Sequence, residues 1–404
     1  MSNGRERRLE VIRAIQDARG SKVITYICGD RQGPGCSAQI GEDAVRPLYD
    51  HLLGLSDYGT LPKIDLYLYS RGGAVDVPWR IVSMIRAFAE RFGVLVPFRA
   101  HSAATLISLG ADEVVLGRKG ELGPIDPIMN VQRQGSEGTA VQEQISVEDV
   151  MSYLKFVRER GGITDQEGLV AALGALNEAP GPVLLGNMYR THSHIRAVAA
   201  KMLESHVDGL DEQKSTFIIE TLAERTYAHG HAISRSEARE IGLPVADDDA
   251  ALERLMWDLY LCYENELRLL EPMDPVSFLA GADKKNERIT TAIVESEWGL
   301  TSFSGGIEVE VQRQWPPQLH INVNLNLPMP DGAGEGSPPE AQNVAFQQLA
   351  GQLQQQLPSM IQSLVQQEVA RQAPITGYKS TLIGARWQSD ETAPSEMPQE
   401  TSQP

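Results

Sequence analysis

Short runs of β-branched and other apolar residues alternate with longer segments of helical spacing over residues 22–283. The runs that predict β-strands lie at residues 22–28, 64–69, 94–98 and 113–116. Apolar residues over positions 75–92 recur at the spacing of a helix with one buried face. Strands and helices that alternate in this way indicate an α/β domain with a mostly parallel sheet and surrounding helices.

The pattern is mainly helical from residue 147 to residue 270. Within this stretch, Ser234 and Glu237 stand at the spacing of a capping box, which predicts the start of a helix. Gly242 is placed to end that helix. His229 and His231 are therefore predicted to lie in a loop just before a well-defined helix.

The character of the chain changes after residue 283. Residues 305–315 and 319–327 alternate polar and apolar side chains, which predicts an exposed antiparallel β pair. Apolar residues at steps of three or four over positions 344–369 predict an amphipathic helix. We therefore predict an α/β domain at 1–283, a small β extension at 284–328, a flexible linker at 329–342, an amphipathic helical segment at 343–373 and a mostly disordered tail at 374–404.

Composition narrows the classes of function. The 404 residues include 36 Lys and Arg against 54 Asp and Glu, and the net charge of −18 disfavours binding to nucleic acid or anionic lipid. We see no run of about 18 apolar residues that could span a membrane and no apolar segment typical of a signal peptide. The three cysteines are scattered, so no disulfide framework is expected. These features predict a cytoplasmic protein.

Two glycines follow the predicted strand at residues 64–69. Gly72 and Gly73 come after Ser70 and Arg71 and lead directly into the predicted helix. A glycine pair at a helix start can turn backbone N–H groups toward an anion or a developing oxyanion. By itself, such a pair is more typical of a tight turn that needs positive φ.

Two further polar residues follow strands of the same predicted sheet. Ser102 comes after the strand at 94–98 and opens a helix of small residues, where the hydroxyl would meet the positive end of the helix dipole. In isolation, Ser102 is typical of an N-cap. Asp126, just before Pro127, follows the strand at 113–116 in a turn and has an ordinary turn role as its simplest explanation.

Taken together and in this order, these segments resemble the serine dehydrogenase proteinase family, relatives of Clp protease and signal peptide peptidase A. The matching segments are GSKVITYI, IDLYLYSRGGAVDVPWRI, VPFRAHSAATLISLGADEVVLG, ELGPIDP and AHGHAISRSEAREIGLPV. The resemblance spans about residues 19–245 and implies a Clp/crotonase-like core.

The resemblance also implies a role for each matching residue. Ser102 would be the nucleophile, His229 the general base and Asp126 the acid that orients the base. The oxyanion hole would be built from the turn and the helix start, at Gly72, Gly73 and Ala103. Two other bases stay open: His231, because only one histidine of an extended HGH segment can face a pocket, and a lysine, as in signal peptide peptidase A.

We therefore predict a serine peptidase that hydrolyses peptide bonds in unfolded or flexible proteins and needs neither a metal nor an organic cofactor. The resemblance implies a homo-oligomer, and the amphipathic segment is a candidate surface for a neighbouring subunit or a partner protein. One alternative is an inactive Clp-fold scaffold that binds a partner. The other is a crotonase-like enzyme acting on acyl-CoA, which the acidic net charge supports poorly.

Overall fold

A computed structural model of the protein describes residues 2–125, 128–134, 140–178, 182–225, 230–314, 357 and 360–389. Asp126 and His229, the predicted acid and base, lie outside the described residues. So do the predicted linker at 329–342 and most of the predicted amphipathic segment.

The described chain alternates helices and strands as the hydrophobic pattern predicts. The helices are α1 (Ser2–Arg19), α2 (Val45–Ser56), α3 (Val77–Phe88), α4 (Ala103–Leu109), α5 (Val147–Glu159), α6 (Gln166–Glu178), α7 (Pro182–Glu204), α8 (Glu212–Glu220), α9 (Arg235–Ile241), α10 (Ala250–Glu266) and α11 (Pro275–Leu279). The strands are β1 (Lys22–Cys28), β2 (Leu61–Tyr69), β3 (Ala89–Val96), β4 (Arg99–Ala100), β5 (Glu113–Leu116), β6 (Glu121–Leu122), β7 (Ile128–Gln134), β8 (Ala140–Ser146), β9 (Ile233–Ser234), β10 (Lys284–Glu295), β11 (Leu300–Arg313) and β12 (Ile375–Ser389). A further helix covers residues 360–372.

Seven strands form the main sheet in the order β12-β11-β10-β1-β2-β3-β5. The pairs β1–β2, β2–β3 and β3–β5 are parallel, whereas β10 runs antiparallel to β1. Six of the seven residues of β1 are buried, as expected for a parallel strand that is covered on both faces. The sheet confirms the predicted α/β fold class.

Helices cover both faces of the parallel strands. Ile24 and Tyr26 point to a core formed with α2, α3, α4 and α7. Val23 and Ile27 alternate with them and point to a second core formed with α1 and α10. The two-residue period of a strand thus divides one apolar run between two cores.

A smaller sheet lies beside the carboxyl ends of the parallel strands. It has the order β4-β6-β9, with Ala100 paired with Leu122 and Leu122 paired with Ile233. This sheet brings three distant parts of the chain together just before Ser102.

The chain divides into two units by its internal contacts. The first comprises Met1–Met273, Arg288–Ile307 and Leu382–Pro404, and the second comprises Asp274–Glu287 and Glu308–Thr381. In the part of the chain that the structure describes, no helix is long and apolar enough to cross a membrane.

The carboxyl-terminal region differs from two expectations. The β extension predicted at 284–328 contributes β10 and β11 to the main sheet. The first strand of the predicted exposed pair, at 305–315, falls in β11, where Ile307 and Val309 are buried, and its predicted partner at 319–327 lies outside the described residues. Within the range predicted to be a mostly disordered tail, β12 lies at the sheet edge, and Trp387 lies 6.5 Å from the ring of Tyr26. The reason is long-range pairing, which local polarity does not reveal.

A buried ion pair joins β10 to α1. The Glu295 side chain is fully buried, accepts a hydrogen bond from Arg8 Nε at 2.6 Å and accepts another from the Tyr263 hydroxyl at 2.8 Å. Arg8 is also buried, and loss of either charge would remove the closest partner of the other. Arg5 Nε would remain 3.7 Å from Glu295, and Glu266 would remain 2.9 Å from Arg8.

We expect Arg8→Ala to lower the free energy of unfolding by up to about 3–5 kcal/mol, because the buried Glu295 carboxylate keeps only the more distant Arg5 as a cation. Arg7→Ala removes the same charge from the exposed side of α1, where Arg7 pairs with Glu10, and should cost less than about 1 kcal/mol. Urea unfolding followed by circular dichroism measures both values. Equal losses for the two variants would show that the buried pair adds nothing to stability.

The helix at residues 360–372, in the second unit, leaves its apolar stripe exposed. Met360 and Leu364 expose 58% and 60% of their surface, and Val365 and Val369 expose 37% each. These side chains belong to the stripe that is predicted to contact another subunit or a partner.

We expect Leu364→Glu to lower the oligomeric mass measured by light scattering, because it places a charge in the stripe. Ser363→Glu adds the same charge about 100° around the helix and should leave the mass unchanged. Truncation after Pro328 would be a less specific test of the stripe, because it would also remove β12 from the main sheet. An unchanged mass for Leu364→Glu would exclude the stripe from self-assembly.

Candidate active site

Ser102 occupies a strained turn between β4 and α4. Its φ of 52° and ψ of −112° fall where residues with a Cβ are rarely found, at a cost of about 1–2 kcal/mol. Its hydroxyl makes no hydrogen bond with the described residues, and it does not cap α4. The N-cap role that its position suggests is therefore not present. A strained strand-to-helix turn is a known way to present a nucleophile.

Hydrogen bonds on both sides hold this turn in place. The amide of Ala104 donates to the carbonyl of His101 at 2.9 Å, and the amide of Leu106 donates to the carbonyl of Ser102 at 3.0 Å. The buried hydroxyl of Thr105 lies 2.7 Å from the carbonyl oxygen of Ala100 and accepts from the amide of Gly123 at 3.1 Å. Thr105 thus ties the first turn of α4 to both β4 and β6. A polar side chain within the mainly apolar sequence of α4 is a sequence signal for such a contact.

Backbone hydrogen bonds place the glycine turn next to Ser102. The amide of Ser70 donates to the carbonyl of Arg99 at 2.9 Å, and the amide of His101 donates to the carbonyl of Ser70 at 3.0 Å. These bonds pair Ser70, the residue just after β2, with β4 in the parallel direction. The residues after Ser70 are therefore placed directly against the start of α4.

Both glycines of the turn are required by space. Gly72 has φ of 113°, and a Cβ built on it would lie 2.8 Å from the Cβ of Ser102. A Cβ on Gly73 would lie 2.2 Å from the carbonyl oxygen of Ile40. The turn is thus wedged between Ser102 and Ile40 with no room for a side chain at either position.

The backbone amides of the turn differ in availability. The amide of Gly72 donates to the Ser70 hydroxyl at 3.0 Å, so it is already paired. Among the described residues, the amides of Gly73 and Ala103 have no hydrogen-bond acceptor. Of the three residues predicted for an oxyanion hole, Gly73 and Ala103 therefore offer free donors, whereas Gly72 provides the close approach.

His101 precedes Ser102 and faces β6. Its Nε2 lies 3.2 Å from a carboxylate oxygen of Glu121, although the two atoms are poorly aligned for a hydrogen bond. Burial lowers the pKa of His101, and the carboxylate of Glu121 opposes this effect in part. The Cβ of His101 packs so closely on Gly123 that a side chain there would lie within 3.0 Å of it.

A charged cluster borders the site at the carboxyl edge of the sheet. Asp30 accepts hydrogen bonds from the Tyr69 hydroxyl at 2.6 Å, from Arg71 Nε at 2.6 Å and from Arg99 Nη1 at 3.1 Å. Burial alone would raise the pKa of Asp30, but these donors hold it below its usual value. Sequence reasoning missed the cluster. The available signal was a charged residue just beyond the end of three successive buried strands.

The predicted base and its alternatives fare differently. Asp126 and His229 lie outside the described residues. His231 is 44% exposed and lies with Nε2 2.8 Å from Glu237, in the first turn of α9. No described lysine is within hydrogen-bond distance of the Ser102 hydroxyl, which has no partner among the described residues.

A cavity of about 430 Å³ lies at the opposite, amino-terminal edge of the strands. Most of its charged lining is already paired, with Lys63 3.3 Å from Glu113 and Arg91 3.1 Å from Asp208. It is separate from the chemistry at Ser102, and we assign it no catalytic role.

Comparison with known proteins gives relatives in sequence and in structure. No family model matches the chain. The uncharacterized protein MJ0137 of Methanocaldococcus jannaschii is 26% identical over 274 residues, which cover 65% of this chain and 80% of that protein.

Two similar solved structures are proteases by name. One is a variant of the 1510-N membrane-bound stomatin-specific protease in complex with a substrate peptide. It is 15% identical, the match covers 53% of this chain and 73% of that chain, and the TM-score is 0.31. The other is ClpP1 from Listeria monocytogenes, which is 14% identical. The match covers 59% of this chain and 99% of that chain, and the TM-score is also 0.31. A Clp protease is among the relatives to which the sequence resemblance points. At these TM-scores, neither structure carries the assignment of the fold, which rests on the strand order described above.

We expect Ser102→Ala to change the free energy of unfolding by less than about 0.5 kcal/mol, because the lost oxygen makes no hydrogen bond with the described residues. Ser102→Gly should be more stable than Ser102→Ala by about 0.5–1 kcal/mol, since glycine adopts positive φ without strain. Urea midpoints at equal slope measure the difference. A loss of about 1–2 kcal/mol in Ser102→Ala, the usual cost of a lost cap, would mean that the hydroxyl is hydrogen-bonded after all.

Proposed function

We propose that the protein is a serine peptidase in which Ser102 attacks the carbonyl carbon of a peptide bond in an unfolded or flexible protein. The observation that carries this proposal is the strained Ser102 at the start of a helix, whose hydroxyl makes no hydrogen bond with the described residues. It stands beside the amides of Gly73 and Ala103, which have no acceptor in the described part of the chain. Backbone strain costs free energy, so it persists only where the surrounding structure enforces it, and it is common at active sites.

The reaction assigns one step to each group. As Ser102 Oγ bonds to the carbonyl carbon, its proton passes to the base, and the carbonyl oxygen becomes an oxyanion. The amides of Gly73 and Ala103 donate hydrogen bonds to that oxyanion. The base then returns the proton to the leaving amine, and a water molecule hydrolyses the acyl-enzyme by the reverse use of the same groups.

His229 is the base in this proposal, and Asp126 orients it. The support is the path of the chain, because Ile233 in β9 is two strands away from Ala100 in β4. Two strand spacings are about 10 Å, and the four residues from Ile233 back to His229 can span that distance. His231 is the weaker candidate because it pairs with Glu237 at an exposed position.

The strained serine also favours covalent catalysis over the crotonase-like alternative. Stabilising a thioester enolate needs the backbone amides but no serine nucleophile. An inactive scaffold, the other alternative, likewise has no use for a strained serine with an unpaired hydroxyl. Labelling of the serine by a fluorophosphonate probe tests all three functions together, because only an activated serine reacts.

We expect the wild-type protein to be labelled, to hydrolyse an unstructured protein such as casein, and to lose both activities in Ser102→Ala. His229→Ala should reduce both by at least about a hundredfold, the lower range for a general base, whereas His231→Ala should have a much smaller effect. Ser83→Ala, at a partly exposed serine of α3 that lies outside the proposed site, is the control and should behave as wild type. No labelling of the folded wild-type protein would rule out the peptidase, and a reversed order of the histidine variants would make His231 the base.

A further inference from the structure

The guanidinium group of Arg71 is held in place but only partly used. Arg71 Nε donates to Asp30 at 2.6 Å, and 54% of the side chain is exposed. Among the described residues, the two terminal nitrogens of Arg71 have no hydrogen-bond acceptor. A guanidinium fixed through Nε presents its terminal N–H groups as a rigid fork, which matches the two oxygens of a carboxylate.

Its position links this fork to the proposed site. Arg71 immediately precedes Gly72, the residue whose backbone packs on Ser102. The charge of Arg71 also acts on His101, the neighbour of Ser102, where it contributes to lowering the pKa of the imidazole. A substrate that reaches the turn therefore passes within reach of Arg71.

The charges around Arg71 leave a local excess of positive charge. Asp30 is shared by Arg71 and Arg99, and Glu121 faces Arg99, Lys119 and the side chain of His101. Three cations thus face two carboxylates, although the whole chain carries a net charge of −18. Since charges in water are screened within about 8–10 Å, the local excess decides what binds next to the turn.

We propose that Arg71 is a specificity-determining residue that binds a carboxylate of the substrate. The proposal rests on the proposed peptidase function and adds a substrate preference to it. The carboxylate can come from an acidic side chain near the cleaved bond or from the carboxyl terminus of a peptide. Both present the same planar pair of oxygens to the guanidinium fork. Asp30 acts as the positioning residue that fixes the fork.

The test compares matched fluorogenic peptides that differ in one carboxylate. One pair carries Glu or Gln at positions flanking the cleaved bond, and a second pair has a free or an amidated carboxyl terminus. We expect the wild-type protein to favour the acidic member of at least one pair by about tenfold in kcat/KM, the scale of one charge-assisted hydrogen bond. The preference should fall when the NaCl concentration rises from 50 to 500 mM.

The variants assign that preference to Arg71. In Arg71→Gln the ratio of kcat/KM for the acidic peptide to that for the neutral peptide should fall to about one, and in Arg71→Lys it should be intermediate. The control is Arg46→Gln, which removes the same charge from an exposed arginine that also binds an aspartate through Nε, and it should keep the wild-type ratio. The ratio is internal to each variant, so a general loss of activity does not imitate the effect.

The outcomes separate this inference from the proposed function. No hydrolysis of any peptide by the wild-type protein defeats the peptidase itself. Hydrolysis with equal kcat/KM for acidic and neutral peptides, or a preference that survives in Arg71→Gln, overturns the role of Arg71 alone. An effect confined to the Glu and Gln pair identifies a side-chain carboxylate, and an effect confined to the other pair identifies a terminal one.

Discussion

The candidate site depends on the close backbone contact between Gly72 and Ser102, which is possible only because glycine has no Cβ. Gly72 approaches Ser102 so closely that no Cβ fits between them, and Gly73 is confined in the same way by Ile40. This contact fixes the glycine turn against the start of α4, and both free amides are placed by it. The strain at Ser102 follows from the same constraint, because the backbone must turn sharply from β4 into the helix while the turn occupies the space beside it.

Charged groups serve two different purposes in this protein. Between α1 and the sheet, Arg8 with Glu295 and Arg19 with Asp65 are buried pairs that connect distant parts of the chain. Such pairs are costly to break, but they contribute more to defining which elements meet than to net stability. At the carboxyl edge of the strands, Asp30 is largely buried and pairs with Arg71 and Arg99, whose side chains remain partly exposed to solvent. The second arrangement is the one suited to contact with a ligand.

Local pattern located all four strands of the parallel core, but β3 begins at Ala89, within the segment predicted to be helical. The limits of β1 and β5 agree with the apolar runs, and Ser102 lies at the predicted junction of strand and helix. Pattern was not sufficient where pairing is remote. Neither the place of β10 beside β1 nor that of β12 at the edge follows from local polarity, since both depend on partners far away in sequence.

The same distinction applies within the site. The two glycines and Ser102 are recognisable because each motif is local and the motifs occur in a characteristic order. The cluster around Asp30 is not, because Asp30, Arg71 and Arg99 meet only once the order of β1, β2 and the strand after β3 is known. The pairing of the Gly72 amide with Ser70 is likewise a matter of turn geometry, so only the structure distinguishes the paired amide from the free ones.

The antiparallel strand β10 has a consequence for the order in which the chain can fold during synthesis. Until residue 295 has been made, β1 is an open sheet edge and Arg8 lacks its buried partner. At roughly 5–20 residues per second, the ribosome needs about 10–40 s to proceed from Ser102 to Glu295. An open apolar edge invites pairing with other chains over that interval. The nascent chain therefore holds the glycine turn and Ser102 long before its sheet can close.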